Sequence, residues 1–187
     1  MRHAIVFAAL GLSFALPAEA STLPRVDFRS EQTLLAIGLP GDLSLDRTFS
    51  DRLSLGVTTF IAGSAGPTGP MAIGVRGTYR LGEAAKGLTY GLTVSGGVYP
   101  PHFFNPSSPD LISKTPEYWV QPALVASLPL SDVLVLRGTV GPLLFTMSHH
   151  AGIPAWLWPN LELAARIAPG QELTLGGNSL VGWRGPF

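Results

Sequence analysis

The chain contains no cysteine. That excludes disulfide frameworks, thiolate metal sites and cysteine nucleophiles. Charge is scarce. Only 13% of the 187 residues are Asp, Glu, Lys or Arg, against a usual share of about 25%. Lysine occurs only as Lys86 and Lys114. Twelve basic and twelve acidic residues cancel to a formal net charge of zero. No cationic excess exists to neutralise a phosphate backbone, so no nucleic-acid partner is expected. A water-facing surface is hard to build from so few charges. Beyond the first twenty residues no run reaches the ~18 uninterrupted apolar residues of a membrane-spanning helix. Helical periodicity of useful length, an internal domain boundary and low-complexity tracts are missing as well. What the chain has is 46% hydrophobic residues, 22 glycines and 17 prolines. This is the composition of a greasy, turn-rich β protein.

Residues 1–20 read as an address. Arg2 and His3 precede the apolar run Ala4 to Leu16, Pro17 breaks it, and Ala18-Glu19-Ala20 offers a small-x-small cleavage site. This is the pattern of a secretory signal peptide with cleavage after Ala20. Residues 21–32 are an irregular lead-in, and 33–187 are the folded domain.

In that domain period-two alternation dominates. From 70 to 82, Met71, Ile73, Val75, Tyr79 and Leu81 alternate with Ala72, Gly74, Arg76, Thr78 and Arg80. From 87 to 99, Leu88, Tyr90, Leu92, Val94 and Val98 alternate with Thr89, Gly91, Thr93, Ser95 and Gly97. Successive side chains of a strand point to opposite faces, so each segment has one apolar and one small or polar face. The same reading covers 52–62, 118–130, 133–146 and 155–168. Residues 33–48 hold one parity across Pro40-Gly41, and 172–187 hold one parity across Gly176-Gly177-Asn178. Each reads as one long strand with a local kink. The expectation is an all-β, antiparallel, up-and-down transmembrane barrel of eight strands, with ten as the alternative if those two segments fold back. Tight turns at Ser50-Asp51, Glu83 to Lys86, Ser131-Asp132 and Pro169 to Gln171 alternate with longer links at 63–69, 100–117 and 147–154.

The polar face decides what lies outside. A soluble barrel would carry Lys and Glu there. This face carries Gly, Ser, Thr and Ala with isolated charges, which suits a narrow lumen where side chains must fit and pair. The expected interior ion-pair network is Asp42, Asp46, Arg76, Arg80, Arg137, Glu162, Arg166 and Arg184, since buried charges must be paired. Glu162 is the expected partner of Arg76 or Arg137. Two aromatic belts are also expected. Phe49, Tyr79 and Tyr90 fall toward the tight turns. Tyr99, Tyr118, Phe145, Trp156, Trp158, Trp183 and Phe187 fall toward the longer links.

A leader, alternating strands and a terminal phenylalanine resemble the small bacterial outer-membrane barrels of the OmpA and OmpX type. The resemblance is architectural and covers nearly all of the mature chain. It implies the bacterial outer membrane as location, with outer-membrane lipid and the barrel-assembly machinery as partners. It also implies a barrel-insertion signal in the last strand, matched here by Val181, Trp183 and Phe187, while Pro186 departs from the usual pattern. That class keeps its termini on the side of the short turns. Eight strands would put them with the longer links instead, and ten would restore the class arrangement.

Chemistry is thin. His102, His149 and His150 sit in the longer links with Asp110 but without compact ligand spacing, so neither a metal nor another cofactor is expected. Ser148-His149-His150 has the residue types of the outer-membrane lipid A deacylases, but its order and neighbours do not match their motif, and adjacency supplies no oriented base. The reading is therefore a non-enzymatic outer-membrane barrel with a side-chain-filled interior and a structural or surface-binding role. The rivals are a narrow channel, an outer-membrane lipid-modifying enzyme and a secreted soluble β-barrel binding protein.

Overall fold

The computed structural model describes residues 23–28, 31–39, 42–61, 71–99, 116–146, 156–177 and 179–187. Residues 1–22 and most of the three longer links, with His102, Asp110, Ser148, His149 and His150, lie outside the described residues. Ten strands close into one barrel. They are β1 (Gln32–Leu39), β2 (Asp42–Thr48), β3 (Leu53–Ile61), β4 (Met71–Glu83), β5 (Thr89–Tyr99), β6 (Glu117–Pro129), β7 (Leu134–Thr146), β8 (Trp156–Ala168), β9 (Gln171–Gly176) and β10 (Ser179–Pro186). Every neighbour in the barrel is also a neighbour in sequence, and β10 pairs antiparallel with β1 to close it. No helix among the described residues is long and apolar enough to cross a membrane.

Ten strands replace the expected eight because both terminal segments are hairpins. Period two cannot see these reversals. Residues directly opposite in a sheet share a face. Ile37 sits opposite Leu43 and Leu35 opposite Leu45, so odd positions stay on one face through the reversal between Leu39 and Asp42. Likewise Val181 faces Leu175 and Trp183 faces Leu173. One consequence corrects the aromatic assignment. β10 runs back toward the tight turns, so Trp183 and Phe187 lie at that end and not with the longer links. Both ends of the barrel wall now lie with the tight turns, and the Phe187 N–H donates to the Thr33 carbonyl at 3.0 Å.

The tight turns have their own chemistry. Ser50 and Ser131 play the same part in two of them. Each serine Oγ accepts backbone N–H bonds from the residues two and three positions on, at 3.1–3.3 Å. This is the local side-chain-to-backbone capture that suits serine to turns. The β4–β5 connection is a 3-10 turn, Ala85–Gly87, in which Lys86 and Gly87 both take positive φ.

The two faces of the wall differ: the outer one is apolar, and the inner one mixes polar and charged side chains with a few apolar ones such as Leu34, Trp119 and Val125. Outward stand Leu39, Leu55, Val57, Val75, Val94 and Leu124, each between 48% and 64% exposed. Inward stand Ser44, Thr48, Thr78, Thr93, Arg137, Glu162, Thr174 and Arg184, all buried. The largest buried side chains are thus partly arginine and glutamate, the reverse of a water-soluble core. Tyr79, Tyr90 and Phe49 are exposed near the tight turns, and Tyr118 near the other end. The side chains of Tyr99, Phe145, Trp156 and Trp158 lie outside the description.

Candidate functional site

The inner wall carries two ion-pair clusters on opposite sides. The first spans β2 to β4. Asp46, Gly56 and Arg76 fall in one row across the three strands. Arg76 donates through Nε to Asp46 Oδ1 at 3.1 Å and through Nη2 to Asp46 Oδ2. Glycine in the middle strand makes this possible. A Cβ at position 56 would overlap the Asp46 carboxylate, so a larger residue would separate the pair. Ser44 shares the cluster, receiving Arg76 Nη2 at 3.4 Å.

The second cluster spans β7 to β10. Arg137 on β7 sits directly opposite Glu162 on β8, and its Nη1 donates to Glu162 Oε1 at 3.2 Å. It also grips Glu172 on β9 with both Nη groups at 2.9 Å. Arg184 on β10 lies 3.5 Å from both glutamates. All four residues are buried. Charge-assisted, forked contacts of this kind are what arginine supplies better than lysine, which fits two clusters whose described cations are all arginine.

The lead-in completes this cluster from inside. Residues 23–28 form no strand and lie within the lumen, with Leu23 2%, Val26 0% and Phe28 1% exposed. The Leu23 N–H donates to Glu162 Oε2 at 3.3 Å, and the Leu23 carbonyl accepts from Arg184 Nη2 at 2.8 Å. Asp27 accepts from Arg137 at 3.1 Å and from Arg25 at 3.2 Å. Burial alone would raise the Asp27 carboxyl, but Arg137 and Arg25 outweigh it and hold the group well below the usual carboxylate range. Three arginines (25, 137, 184) thus meet three carboxylates (27, 162, 172).

The eight expected network residues therefore separate. Arg137, Glu162 and Arg184 join one cluster, and Asp46 and Arg76 the other. Asp42 is buried at the far end of β2. Arg80 is drawn to the tight-turn mouth, where it pairs with Glu83 at 2.8 Å. Arg166, expected inside, is exposed and donates to the Asp132 carbonyl at 3.2 Å. Its position near the end of β8 brings it to the rim, where a backbone acceptor and water replace a buried carboxylate. Glu162 pairs with Arg137 and not with Arg76, because register makes the first two cross-strand neighbours.

Sequence reasoning missed Glu172, Arg25 and Asp27. Parity does put Glu172 on the polar face with Thr174 and Arg184, but it was not counted in the network. Arg25 and Asp27 have no periodicity to reveal them. Their only signal is three apolar residues, Leu23, Val26 and Phe28, interleaved with charges just ahead of a barrel. At the tight-turn mouth a cavity of about 420 Å³ is lined in part by Arg25, Asp27, Arg80, Glu83, Arg166 and Glu172.

No protein-family model, no curated protein and no solved structure matches this chain.

Proposed function

We propose that the chain is a bacterial outer-membrane β-barrel, exported by its leader, with a closed lumen and a structural or surface-binding role. The observation that carries this reading is the inversion of the wall. Aliphatic side chains are exposed all round the outside, while arginine and glutamate are buried inside. Water would leave so large an apolar surface unpaid, and monomeric soluble proteins rarely expose apolar patches beyond a few hundred Å². A bilayer makes the same surface favourable. A closed barrel also satisfies every strand edge internally, which a spanning sheet requires. Short turns and both wall ends at one side support a periplasmic position for that side. Val181, Trp183 and Phe187 on the outer side of the closing strand fit the part of an insertion signal for the assembly machinery.

A non-enzymatic role is supported by the clusters themselves. Each arginine in them is engaged by a carboxylate that ties neighbouring strands or the inner segment together. The test is gel migration with and without boiling, after folding the mature chain into detergent micelles. A folded barrel migrates differently from the boiled chain. A mature chain that remains a dissolved monomer without detergent, and shows no such shift, removes the membrane reading in favour of a soluble barrel.

A further inference from the structure

We infer that residues 23–28 are a withdrawable plug, and that the barrel without them conducts small ions. This rests on the membrane-spanning reading above and adds a transport activity to it.

The segment is held in the lumen without belonging to the wall. It contributes no strand to the barrel, and the wall closes through β1 and β10 without it. Among the described residues its hydrogen bonds to the wall come from the two backbone groups of Leu23 and the carboxylate of Asp27, and Arg25 adds a charge attraction to Glu172. The rest is apolar burial of Leu23, Val26 and Phe28.

The wall has room shaped for it. A Cβ on Gly177 would stand 3.3 Å from Leu23 Cγ, and one on Gly91 of β5, already crowded by the Tyr79 carbonyl of the wall itself, would stand 2.9 Å from Val26 Cγ2. Around the same height β5 and β6 present Thr89, Gly91, Thr93, Ala123, Val125 and Ser127 inward, none larger than valine. An eight-stranded barrel is filled by its own side chains, and lumen width grows with strand number. Ten strands with a small-residue sector leave a gap, and the segment occupies it.

Charge balance permits withdrawal. Arg25 and Asp27 neutralise each other. On the wall, Arg137 and Arg184 balance Glu162 and Glu172, and Arg137 keeps both glutamates when Asp27 leaves. No buried charge is stranded, which is the usual obstacle to opening such a cluster. The two ion-pair clusters lie on opposite walls, and withdrawal of the segment opens the space between them. It is lined by charges of both signs, the kind of lining that passes small ions. Its lower end meets the cavity at the tight-turn mouth, for which Arg25 and Asp27 form part of the lining.

The experiment uses the natural absence of cysteine. Val26→Cys places one thiol where the barrel is closed to solvent. A water-soluble thiol reagent should label it to completion in the folded barrel, more than about tenfold more slowly than an exposed Asp132→Cys, because labelling waits for the segment to leave. The bulky adduct cannot reseat, so discrete conductance steps in a planar bilayer should appear after labelling and be rare before it. Deleting 23–28 should give the same steps without reagent. A Val26→Cys barrel that keeps its heat-shifted band yet never labels overturns the inference. So does a heat-shifted deletion variant that inserts but does not conduct. Loss of the heat shift by the unaltered chain is a different result, and it removes the membrane reading itself.

Discussion

Replacing Arg137 by methionine keeps much of the side-chain volume and removes the charge that three carboxylates share. Asp27, Glu162 and Glu172 all lie within 3.2 Å of its guanidinium, which is fully buried. Breaking one buried pair costs roughly 3–5 kcal/mol, because the partner is left charged without compensation. Adding three such costs would give about 9–15 kcal/mol, as much as the whole stability of many domains. The contacts belong to one cluster and are not additive. Arg184 also remains 3.5 Å from both glutamates, and Arg25 remains 3.2 Å from Asp27. The expected loss is therefore that of one hub, about 3–5 kcal/mol. With a urea slope of roughly 1–3 kcal/mol per molar, the midpoint should fall by about 1–5 M. The assay is urea unfolding of the barrel in phospholipid vesicles, read by tryptophan fluorescence and by the heat-shifted band. Adding Glu172→Gln to Arg137→Met removes one of the stranded charges and should restore about 1 kcal/mol or more. A loss within about 1 kcal/mol, the range of a solvent-exposed pair, would refute the buried-cluster account.

Other outcomes follow from the same geometry. Glu162→Ala takes an acceptor from Arg137, Arg184 and the Leu23 N–H, but Glu172 stays; the same urea assay should show a loss of about 2–4 kcal/mol, while Asp132→Ala on the exposed turn stays within about 0.5 kcal/mol. Val75→Arg, on the outer face and 64% exposed, should cost roughly 2–4 kcal/mol in vesicles if that face meets lipid near the bilayer midplane, and within about 0.5 kcal/mol if it meets water. Gly56→Ala should cost about 1–3 kcal/mol by overpacking and should separate Asp46 from Arg76, which a crystal structure of the variant would reveal. The depressed carboxyl of Asp27 makes the inner segment acid-sensitive in one direction only. A group whose folded value is lowered contributes fully above its unfolded value, about 3.9, and that contribution falls away as pH drops below it. Labelling of Val26→Cys should thus keep its opening equilibrium from pH 8 to about 5, after correction for thiol ionisation, and opening should rise only in stronger acid.

Alternation alone was enough to say which residues of β3 to β5 face inward, since a strand must send neighbouring side chains to opposite faces, whereas in β6 and β7 buried Trp119, Val125 and Val135 blur the pattern. The scarcity of lysine on the polar face was enough to suggest a lumen, and the short Ser-Asp segments were enough to place two turns. Strand number was not legible in the same pattern, because the hairpins between β1 and β2 and between β9 and β10 keep parity while reversing the chain. Their reversal also moved Trp183 and Phe187 to the opposite end of the barrel. Partnership among the charges needed register. Arg137 faces Glu162 because β7 and β8 align them, and Arg76 reaches Asp46 because Gly56 lies between. Arg166 lies on the same strand as Glu162 but ends at the rim, a matter of height along the barrel that residue type does not encode. Least visible was the lead-in. Residues 23–28 have no period of their own, and their place was decided by the space that ten strands and small inward residues leave open. Arg25 and Asp27 became part of the site only when closure of the wall brought Arg137 and Arg184 around them.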